Sequence, residues 1–302
     1  MSGNFWNSSH FRQWLFDKEE MLLGRQADLQ RLTCEEYQKV HIFFGQLIQA
    51  IGEELKVRQQ VIATAIIYFK RFYSRYSLKD IDPILLCPTS VFLASKVEEV
   101  GASPNSRLIE KCTAAIKSNM FKYVFQFDEY PYKVNDIHDC EFLLMEVMDC
   151  CLIVFQPYRP LTQFCEDIGD QNNELLKASW LVVNDVMRSD LILTQPPFMI
   201  ALAALLIACC TYRKQSCSTG FSHSNLSSMD ATGGLGSLSA EHKAWFADCT
   251  VDFEQLAILV NDIVSFFDLW TSFEGGEIEE MKNILKKYSF VRSMRQHGQH
   301  GR

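Results

Sequence analysis

The stretch that decides the fold is residues 83–99, PILLCPTSVFLASKVEE. It carries no charged residue until its last four positions, KVEE. A long apolar run that ends in charge is typical of a helix at the centre of a helical bundle. Pro88 conflicts with this interpretation, because an interior proline costs a helix roughly 3 kcal/mol. We therefore expect a helix over Pro83–Glu99, or one that begins near Cys87.

The sequence on either side has apolar residues three and four positions apart, which predicts helices, and strand-like alternation is absent. Ser9 is expected to cap a helix near the start. The apolar stripe of that helix comprises Phe11, Trp14, Leu15 and Leu22. With the decisive stretch as its third helix, a five-helix bundle is predicted. Its other helices are expected at Glu35–Leu55, Val57–Tyr73, Ser106–Ser118 and Asn135–Cys150.

The chain repeats itself weakly after 114 positions. This shift lays Pro83 on Pro197 and Ala94 on Ala208. A repeat of that length predicts two tandem helical bundles, since a solenoid would repeat every 20 to 50 residues or so. The fold class is therefore all-α, with two five-helix repeats and extra helices at both ends.

Domain boundaries follow from the same patterns. Residues 216–239, SCSTGFSHSNLSSMDATGGLGSLS, consist largely of Ser, Gly and Thr and are predicted to form a flexible insertion. After it, the helical pattern resumes at His242–Phe246, Val251–Trp270 and Ile278–Tyr288. The predicted parts are an N-terminal helix and lead-in (1–34), a first repeat (35–155), a second repeat with the insertion (156–273), and a C-terminal helix with a basic tail (274–302).

The overall charge argues against a nucleic-acid partner. The 302 residues carry 37 acidic and 29 basic side chains, a net charge of -8, whereas phosphate binding needs a surplus of Lys and Arg on one face. The longest apolar run, Pro196–Cys210, is too short to cross a bilayer, and the first residues lack the features of a signal peptide. Neither a membrane nor DNA is an expected partner.

The eleven cysteines include two adjacent pairs and no CxxC motif. This pattern favours free thiols in a reducing compartment over a disulfide framework or a zinc site. Cys150 and Cys151 are interpreted as buried inert thiols, with a redox pair as the alternative. His297 and His300 are spaced like metal ligands but lie in a Gly-bearing tail, and the usual phosphate, metal and nucleophile motifs are absent. Catalysis, cofactors and metals are not expected.

Several strings of the sequence are distinctive. They are HFRQWL at His10–Leu15, YFKRFYSRYSL at Tyr68–Leu78, VFLASKVEE at Val91–Glu99, CEFLLMEVMDCCLIVFQPYRPL at Cys140–Leu161 and PPFMIALA at Pro196–Ala203. Together they resemble the cyclin family, and within it the cyclin C branch found in the Mediator kinase module. The resemblance runs from about Asn4 to Lys287 apart from the insertion. It implies that the two repeats are cyclin boxes.

Cyclins hold the C-helix region of a kinase through a Lys and a Glu, which the resemblance places at Lys96 and Glu141. Glu98 and Glu99 belong to the same predicted kinase-binding surface. A Lys ammonium can donate three hydrogen bonds to carbonyls at the end of a partner helix, while a nearby carboxylate offsets its desolvation. The alternative is that Lys96 is only the solvated end of its helix.

A second partner surface is predicted in the segment ASWLVVNDVM. Val182, Val183 and Val186 form its apolar stripe. Trp180 lies at the edge of that stripe, with Asn184 on the same side and Asp185 further round. An aromatic residue beside hydrogen-bonding groups is favoured at interface hot spots, although Trp180 could equally complete the core.

The resemblance implies a regulatory subunit, not an enzyme. It would bind and activate a cyclin-dependent kinase of the Mediator complex and regulate RNA polymerase II transcription in the nucleus, with other kinase-module subunits as further partners. Cell-cycle cyclins dock substrates on M-R-A-I-L and a Trp, but this chain has VHIFFGQLIQ at Val40–Gln49, with Leu47 at the Trp position, so such docking is not expected.

Two other functions remain open. A TFIIB-like cyclin-fold factor should carry a basic stripe, which the acidic composition disfavours. A helical transcription adaptor without kinase activation fits the composition equally well.

Overall fold

A computed structural model describes residues 3–100, 105–118, 121–125, 129–215, 238–274 and 277–288. These residues form sixteen α-helices and no strand, which confirms the predicted all-α class. The chain divides into two compact units, residues 1–154 with 276–302, and residues 155–275. The predicted domain boundaries, with repeats at 35–155 and 156–273, stay a prediction.

The first unit contains the predicted five-helix bundle and several shorter helices. Its helices are α1 (Ser9–Gln13), α2 (Lys18–Gly24), α3 (Gln26–Leu29), α4 (Cys34–Glu54), α5 (Gln59–Arg75), α6 (Pro83–Val97), α7 (Asn105–Lys117), α8 (Phe121–Val124) and α9 (Val134–Val147). Helices α4, α5, α6, α7 and α9 correspond to the five predicted ones. The short helix α8 was not predicted.

The second unit repeats this plan around another apolar helix. Its helices are α10 (Tyr158–Asp167), α11 (Glu174–Val186), α12 (Leu191–Thr194), α13 (Pro197–Gln215), α14 (Ala240–Asp248) and α15 (Phe253–Glu274). Helices α6 and α13 begin at Pro83 and Pro197, the two prolines that the 114-residue shift pairs. A proline suits the first position of a helix because its missing amide would have no partner there.

Helix α6 is the centre of the first unit, and nearly all of its residues as far as Ser95 are buried. It begins at Pro83, so the alternative start near Cys87 is wrong. The Asp82 carboxylate caps it by accepting a hydrogen bond from the Ile84 amide at 2.9 Å. Burial raises the pKa of Asp82 to about 6, although hydrogen bonds from the Ile84 amide and the Tyr132 hydroxyl act to lower it.

Pro88 is accommodated inside α6 by a side chain from another part of the first unit. A proline cannot donate to the carbonyl four residues earlier, which here belongs to Ile84. The Tyr130 hydroxyl donates to that carbonyl at 3.0 Å. The orphaned acceptor therefore has a partner in the core, and the helix continues through the proline.

The predicted N-terminal stripe is wrong. Ser8, not Ser9, caps α1 by accepting a hydrogen bond from the Phe11 amide at 3.2 Å. Helix α1 then stops after about one turn, and a capping box at Asp17 starts α2. Because this break changes the helical register, Trp14 is fully buried whereas Leu22 is 51% exposed.

Helix α9 ends at Val147, three residues before the predicted end at Cys150. Cys150 is consequently exposed and Cys151 half-buried, so the interpretation of this pair as buried inert thiols is wrong. Cys209 and Cys210, in α13, are buried. All the cysteines in the described ranges are free thiols.

Most of the predicted insertion, residues 216–237, and the basic tail from 289 onward lie outside the described residues. The last two residues of the predicted insertion belong to the fold. Leu238 is 3% exposed, and Ser239 caps α14 by accepting a hydrogen bond from the His242 amide at 3.1 Å. None of the helices in the described part of the chain is both long and apolar enough to cross a membrane.

The last helix, α16 (Glu277–Lys287), returns to the first unit and packs against α4 and α8. Its apolar face is buried at Met281, Ile284, Leu285 and Tyr288. The Glu280 carboxylate lies 2.8 Å from Lys39 Nζ, and Lys287 Nζ lies 2.6 Å from the Glu36 carboxylate. Apolar packing and two ion pairs thus attach the end of the described chain to its first long helix.

Candidate functional site

The predicted residues Lys96 and Glu141 are in direct contact across α6 and α9. Lys96 Nζ lies 2.7 Å from Oε1 of Glu141 and 2.8 Å from Oε2. The Glu141 side chain is 6% exposed, whereas that of Lys96 is 40% exposed. The carboxylate is therefore fixed inside the bundle, and it positions an ammonium group that solvent or a partner can reach.

Two side chains that the sequence analysis missed complete this polar centre. Lys96 Nζ lies 4.1 Å from the ring centroid of Phe92, a cation–π distance. His138 Nδ1 lies 3.7 Å from Glu141 Oε2, and its ring meets Phe92 edge-on at 5.3 Å. Phe92 precedes Lys96 by four residues and His138 precedes Glu141 by three, so helical spacing could have identified both.

Glu98 and Glu99 do not join this cluster in the structure. The Glu98 carboxylate accepts a hydrogen bond from the Thr64 hydroxyl at 2.6 Å, which ties it to α5. Glu99 is exposed and has a left-handed backbone with φ of +55°. The end of α6 therefore presents one carboxylate held by its neighbour helix and one that projects into solvent.

Helix α9 also carries an exposed aromatic side chain. Phe142 follows Glu141 on α9 and is 68% exposed, which is unusual for a phenylalanine on a packed helix. An ammonium fixed by a buried carboxylate suits a protein partner that accepts hydrogen bonds from the lysine, and the exposed Phe142 ring offers apolar area that a partner could bury.

Comparisons with known proteins agree with this architecture. A family model described as the cyclin N-terminal domain matches residues 15–153. Cyclin-C of Drosophila melanogaster is 49% identical over 95% of this chain and 96% of the relative. Cyclin-C of Rattus norvegicus is 48% identical over 95% and 90%, and that of Caenorhabditis elegans 33% over 95% and 93%. The chain belongs to the cyclin C family.

Solved structures support the cyclin fold more distantly. A structure of the yeast TFIIK (Kin28/Ccl1/Tfb3) complex matches with a TM-score of 0.60 at 22% identity, covering 87% of this chain and all of the matched one. A structure of the CAK complex from Chaetomium thermophilum matches with a TM-score of 0.56 at 18% identity, covering 98% and 95%. Membership of the cyclin C family makes this chain a regulatory subunit and not a catalytic enzyme, as predicted.

The second predicted surface lies in the second unit of the cyclin. The half-buried Trp180 ring packs against Tyr158 in a tilted arrangement with centroids 4.4 Å apart, and the Tyr158 hydroxyl donates to Asn184 Oδ1 at 2.8 Å. Asp185 instead pairs with Arg188 at 2.8 Å. The structure thus joins Trp180 and Asn184 through Tyr158 and leaves Asp185 in a separate ion pair.

The predicted apolar stripe beneath this surface, Val182, Val183 and Val186, is fully buried. Trp180 therefore covers the edge of the core and keeps part of its ring accessible. Among the described residues, no three His, Cys, Asp or Glu side chains are placed to hold a metal ion.

Proposed function

We propose that this cyclin binds and activates a cyclin-dependent kinase of the Mediator complex, and thereby regulates RNA polymerase II transcription in the nucleus. The observation that carries the proposal is the Lys96–Glu141 pair, in which a buried carboxylate fixes an accessible ammonium. The similarity to Cyclin-C over nearly the whole chain supports the choice of kinase class.

The pair is suited to a partner helix terminus. The last carbonyls of a helix lack partners within the helix and carry partial negative charge. Lys96 can donate to such carbonyls while Glu141 keeps neutralising it, so the ammonium is not left uncompensated when water is expelled. Phe142 would supply exposed apolar area on the same helix as Glu141, and Glu99 an exposed carboxylate for a basic side chain.

Activation requires no catalytic group from the cyclin. A protein kinase is efficient only when its β3 Lys pairs with the C-helix Glu and its activation segment is ordered. A cyclin that binds the inward position of the C-helix more tightly than the outward position shifts the kinase population toward the active state. Lys96 and Glu141 would contribute to that difference in affinity.

The face of α4 that corresponds to the substrate-docking patch of cell-cycle cyclins is closed in this chain. Val40, Phe44 and Leu47 are buried, and Phe43 packs against Phe121 of α8 with centroids 5.3 Å apart. We infer that substrates are brought to the kinase by other Mediator subunits and not by this patch.

Kinase affinity of Lys96→Ala, Glu141→Ala and the double variant tests the proposal. Loss of charge-assisted hydrogen bonds worth about 1.5–3 kcal/mol should weaken binding roughly tenfold to a hundredfold. The double variant should lose less than the sum of the two, because both residues act through one contact. Titration calorimetry against the Mediator cyclin-dependent kinase, with thermal unfolding of each free variant, provides the measurements.

Lys39 and Glu280 form a matched control, since they are another cross-helix pair at 2.8 Å but lie on α4 and α16. Their alanine variants should bind the kinase normally. Unchanged kinase affinity in Lys96→Ala would contradict the proposed contact. A chain that recovers no kinase at all would instead favour a helical transcription adaptor.

A further inference from the structure

The turn that follows α9 carries two adjacent accessible thiols. Cys150 is exposed, and Cys151 is half-buried with its Sγ in an exposed hydrogen bond to Gln13 Oε1 at 3.2 Å. The proposed kinase contact uses neither residue. These thiols are therefore available for chemistry that the cyclin function does not explain.

The backbone of this turn is irregular and held by specific bonds. Asp149 and Cys150 both have left-handed backbones, with φ of +51° and +54°. The Cys150 amide donates to the Met145 carbonyl at 2.9 Å, and the Cys151 amide donates to the Met148 carbonyl at 2.8 Å. Since both cysteines lie beyond the end of α9, the peptide between them can twist without breaking a helix.

Helix α5 anchors the turn from the other side. Arg71 Nη1 donates to the Cys151 carbonyl at 3.1 Å, and the Tyr68 hydroxyl donates to the Leu152 carbonyl at 2.5 Å. Arg75 Nη1 donates to the Val147 carbonyl at 2.7 Å and pairs with Asp149 at 2.6 Å. The conformation of the two cysteines is thus coupled to two cationic side chains of α5, the buried Arg71 and the exposed Arg75.

The same arginines hold the N-terminal segment. The guanidinium carbons of Arg71 and Arg75 lie 4.9 and 4.2 Å from the ring centroid of Trp14. Trp14 is fully buried, and Gln13 next to it contacts the Cys151 thiol. A change in the conformation of the turn after α9 can therefore affect the segment around Trp14 through these two arginines and Gln13.

We propose that Cys150 and Cys151 form a peroxide-sensitive modification site that closes into a reversible disulfide between neighbouring residues. The exposed Cys150 thiolate attacks hydrogen peroxide, giving a sulfenic acid and releasing hydroxide, which takes up a proton to become water. The Cys151 thiol then displaces the sulfenic oxygen as a second water, and the S–S bond forms. Two thiols are oxidised and one peroxide is reduced to two waters.

Covalent adjacency keeps the resolving thiol close to the sulfenic acid, and the strain of a disulfide between Cα atoms only about 3.8 Å apart makes the bond easy to reduce again. A sulfenic acid persists only until a thiol reaches it, and here the resolving thiol belongs to the next residue. The eight-membered ring constrains the peptide between the two cysteines, whose N–H donates to the Met148 carbonyl, and we expect this constraint to weaken the neighbouring hydrogen bond from Arg71 to the Cys151 carbonyl. Loss of that anchor is expected to loosen the contact between Arg71 and Trp14.

The test treats the full-length chain with hydrogen peroxide, alkylates the remaining thiols and analyses the peptides by mass spectrometry. Most of the peptide that contains both cysteines should become lighter by two hydrogen atoms and return to the dithiol after dithiothreitol. Cys34 is exposed and lies outside any adjacent pair, so in the same sample dimedone should trap it as a sulfenic acid. In Cys151→Ser, dimedone should trap Cys150 in the same way.

A pair that stays reduced while Cys34 is labelled would overturn the proposal, and so would a disulfide-linked dimer that forms through Cys150. Hydrogen exchange over residues 8–16 tests the coupling to the N-terminal segment. Exchange should accelerate on oxidation of the wild-type chain but not of Cys150→Ser. Equal hydrogen exchange before and after oxidation would show that the disulfide does not alter the segment around Trp14.

Discussion

At the scale of single residues, Tyr130 explains how a proline is tolerated in α6, the central apolar helix of the first unit. Its hydroxyl replaces the amide that Pro88 lacks, at the Ile84 carbonyl. Tyr130 lies 46 positions from Ile84 along the chain, so no helical spacing rule could reveal the contact. The sequence showed the conflict at Pro88 but not its solution.

We predict that Tyr130→Phe lowers the free energy of unfolding by about 1–3 kcal/mol, because the Ile84 carbonyl is then buried without a donor. Pro88→Ala restores an amide at position 88, so the tyrosine hydroxyl becomes less necessary. In the Pro88→Ala background, Tyr130→Phe should therefore lower the free energy of unfolding by clearly less. Urea denaturation of the two single variants and the double variant measures this coupling. Additive losses would show that the hydroxyl does not compensate for the proline.

The Lys96–Glu141 contact could be predicted from family resemblance, without any helical spacing rule. Family resemblance placed both residues at one interface, and the structure brings their charged groups within 2.8 Å. Glu98 and Glu99 show the limit of that reasoning. A motif fixes their order along the chain, but the end of α6 at Val97 directs one toward Thr64 and the other toward solvent.

At the scale of helices, glycines permit close packing in the first unit. Gly24 ends α2 where a Cβ atom would collide with the Ser74 carbonyl oxygen of α5. Gly52, inside α4, faces the tip of the Ile62 side chain. The first contact is with backbone, which cannot move without shifting a helix, whereas the second is with a side chain that can change rotamer.

Gly24→Ala should therefore destabilise the chain by about 1–3 kcal/mol, as expected for overpacking. Gly52→Ala should cost less, because Ile62 can adjust and alanine is favoured over glycine within a helix by up to about 1 kcal/mol. Differential scanning calorimetry of both variants tests the order. A larger loss of melting temperature in Gly52→Ala would contradict it.

The ends of helices were harder to predict than their existence. The apolar spacing located α4, α5, α6, α7 and α9 close to their observed positions. No glycine or proline marks the end of α9, where Asp149 and Cys150 instead adopt left-handed backbones. Tertiary bonds from Arg71 and Arg75 to this turn stabilise that ending, and they come from a helix far away in the sequence.

At the scale of the whole molecule, the boundary of the Ser/Gly-rich insertion leads to a matched pair of deletions. Replacing residues 216–237 by a Gly/Ser linker of half the length should change stability by only about 0.6 kcal/mol, since closure entropy varies with the logarithm of loop length. Extending the replacement through Ser239 also removes the α14 cap and buried Leu238. The free energy of unfolding of that variant should fall by about 3 kcal/mol. Equal melting temperatures for the two variants would contradict this boundary.

The two proposed partner surfaces lie in different units, which predicts that their functions separate. Trp180→Ala with Asp185→Ala should weaken binding to a kinase-module subunit other than the kinase and leave kinase affinity unchanged. Surface plasmon resonance with each partner, and thermal unfolding as a control for the Tyr158 contact, tests this. A comparable loss of both interactions would assign Trp180 to the core.

The overall plan of two helical repeats could be predicted because the 114-residue shift pairs Pro83 with Pro197 at the start of the two apolar helices. The position of the closing helix, α16, could not be predicted from the sequence. Its partner Lys39 lies 241 residues from Glu280, and amphipathic spacing indicates that a helix has a buried face without indicating what covers it.

The return of α16 to the first unit also matters while the chain is being made. The surface of α4 that packs against α16 leaves the ribosome long before α16 is translated. At about 5–20 residues per second, roughly 6 to 25 s pass between the synthesis of α9 and that of α16. During this interval the nascent first unit lacks the helix that covers this part of α4. The first unit therefore completes its folding only after the second unit has been synthesised, although its own synthesis starts first.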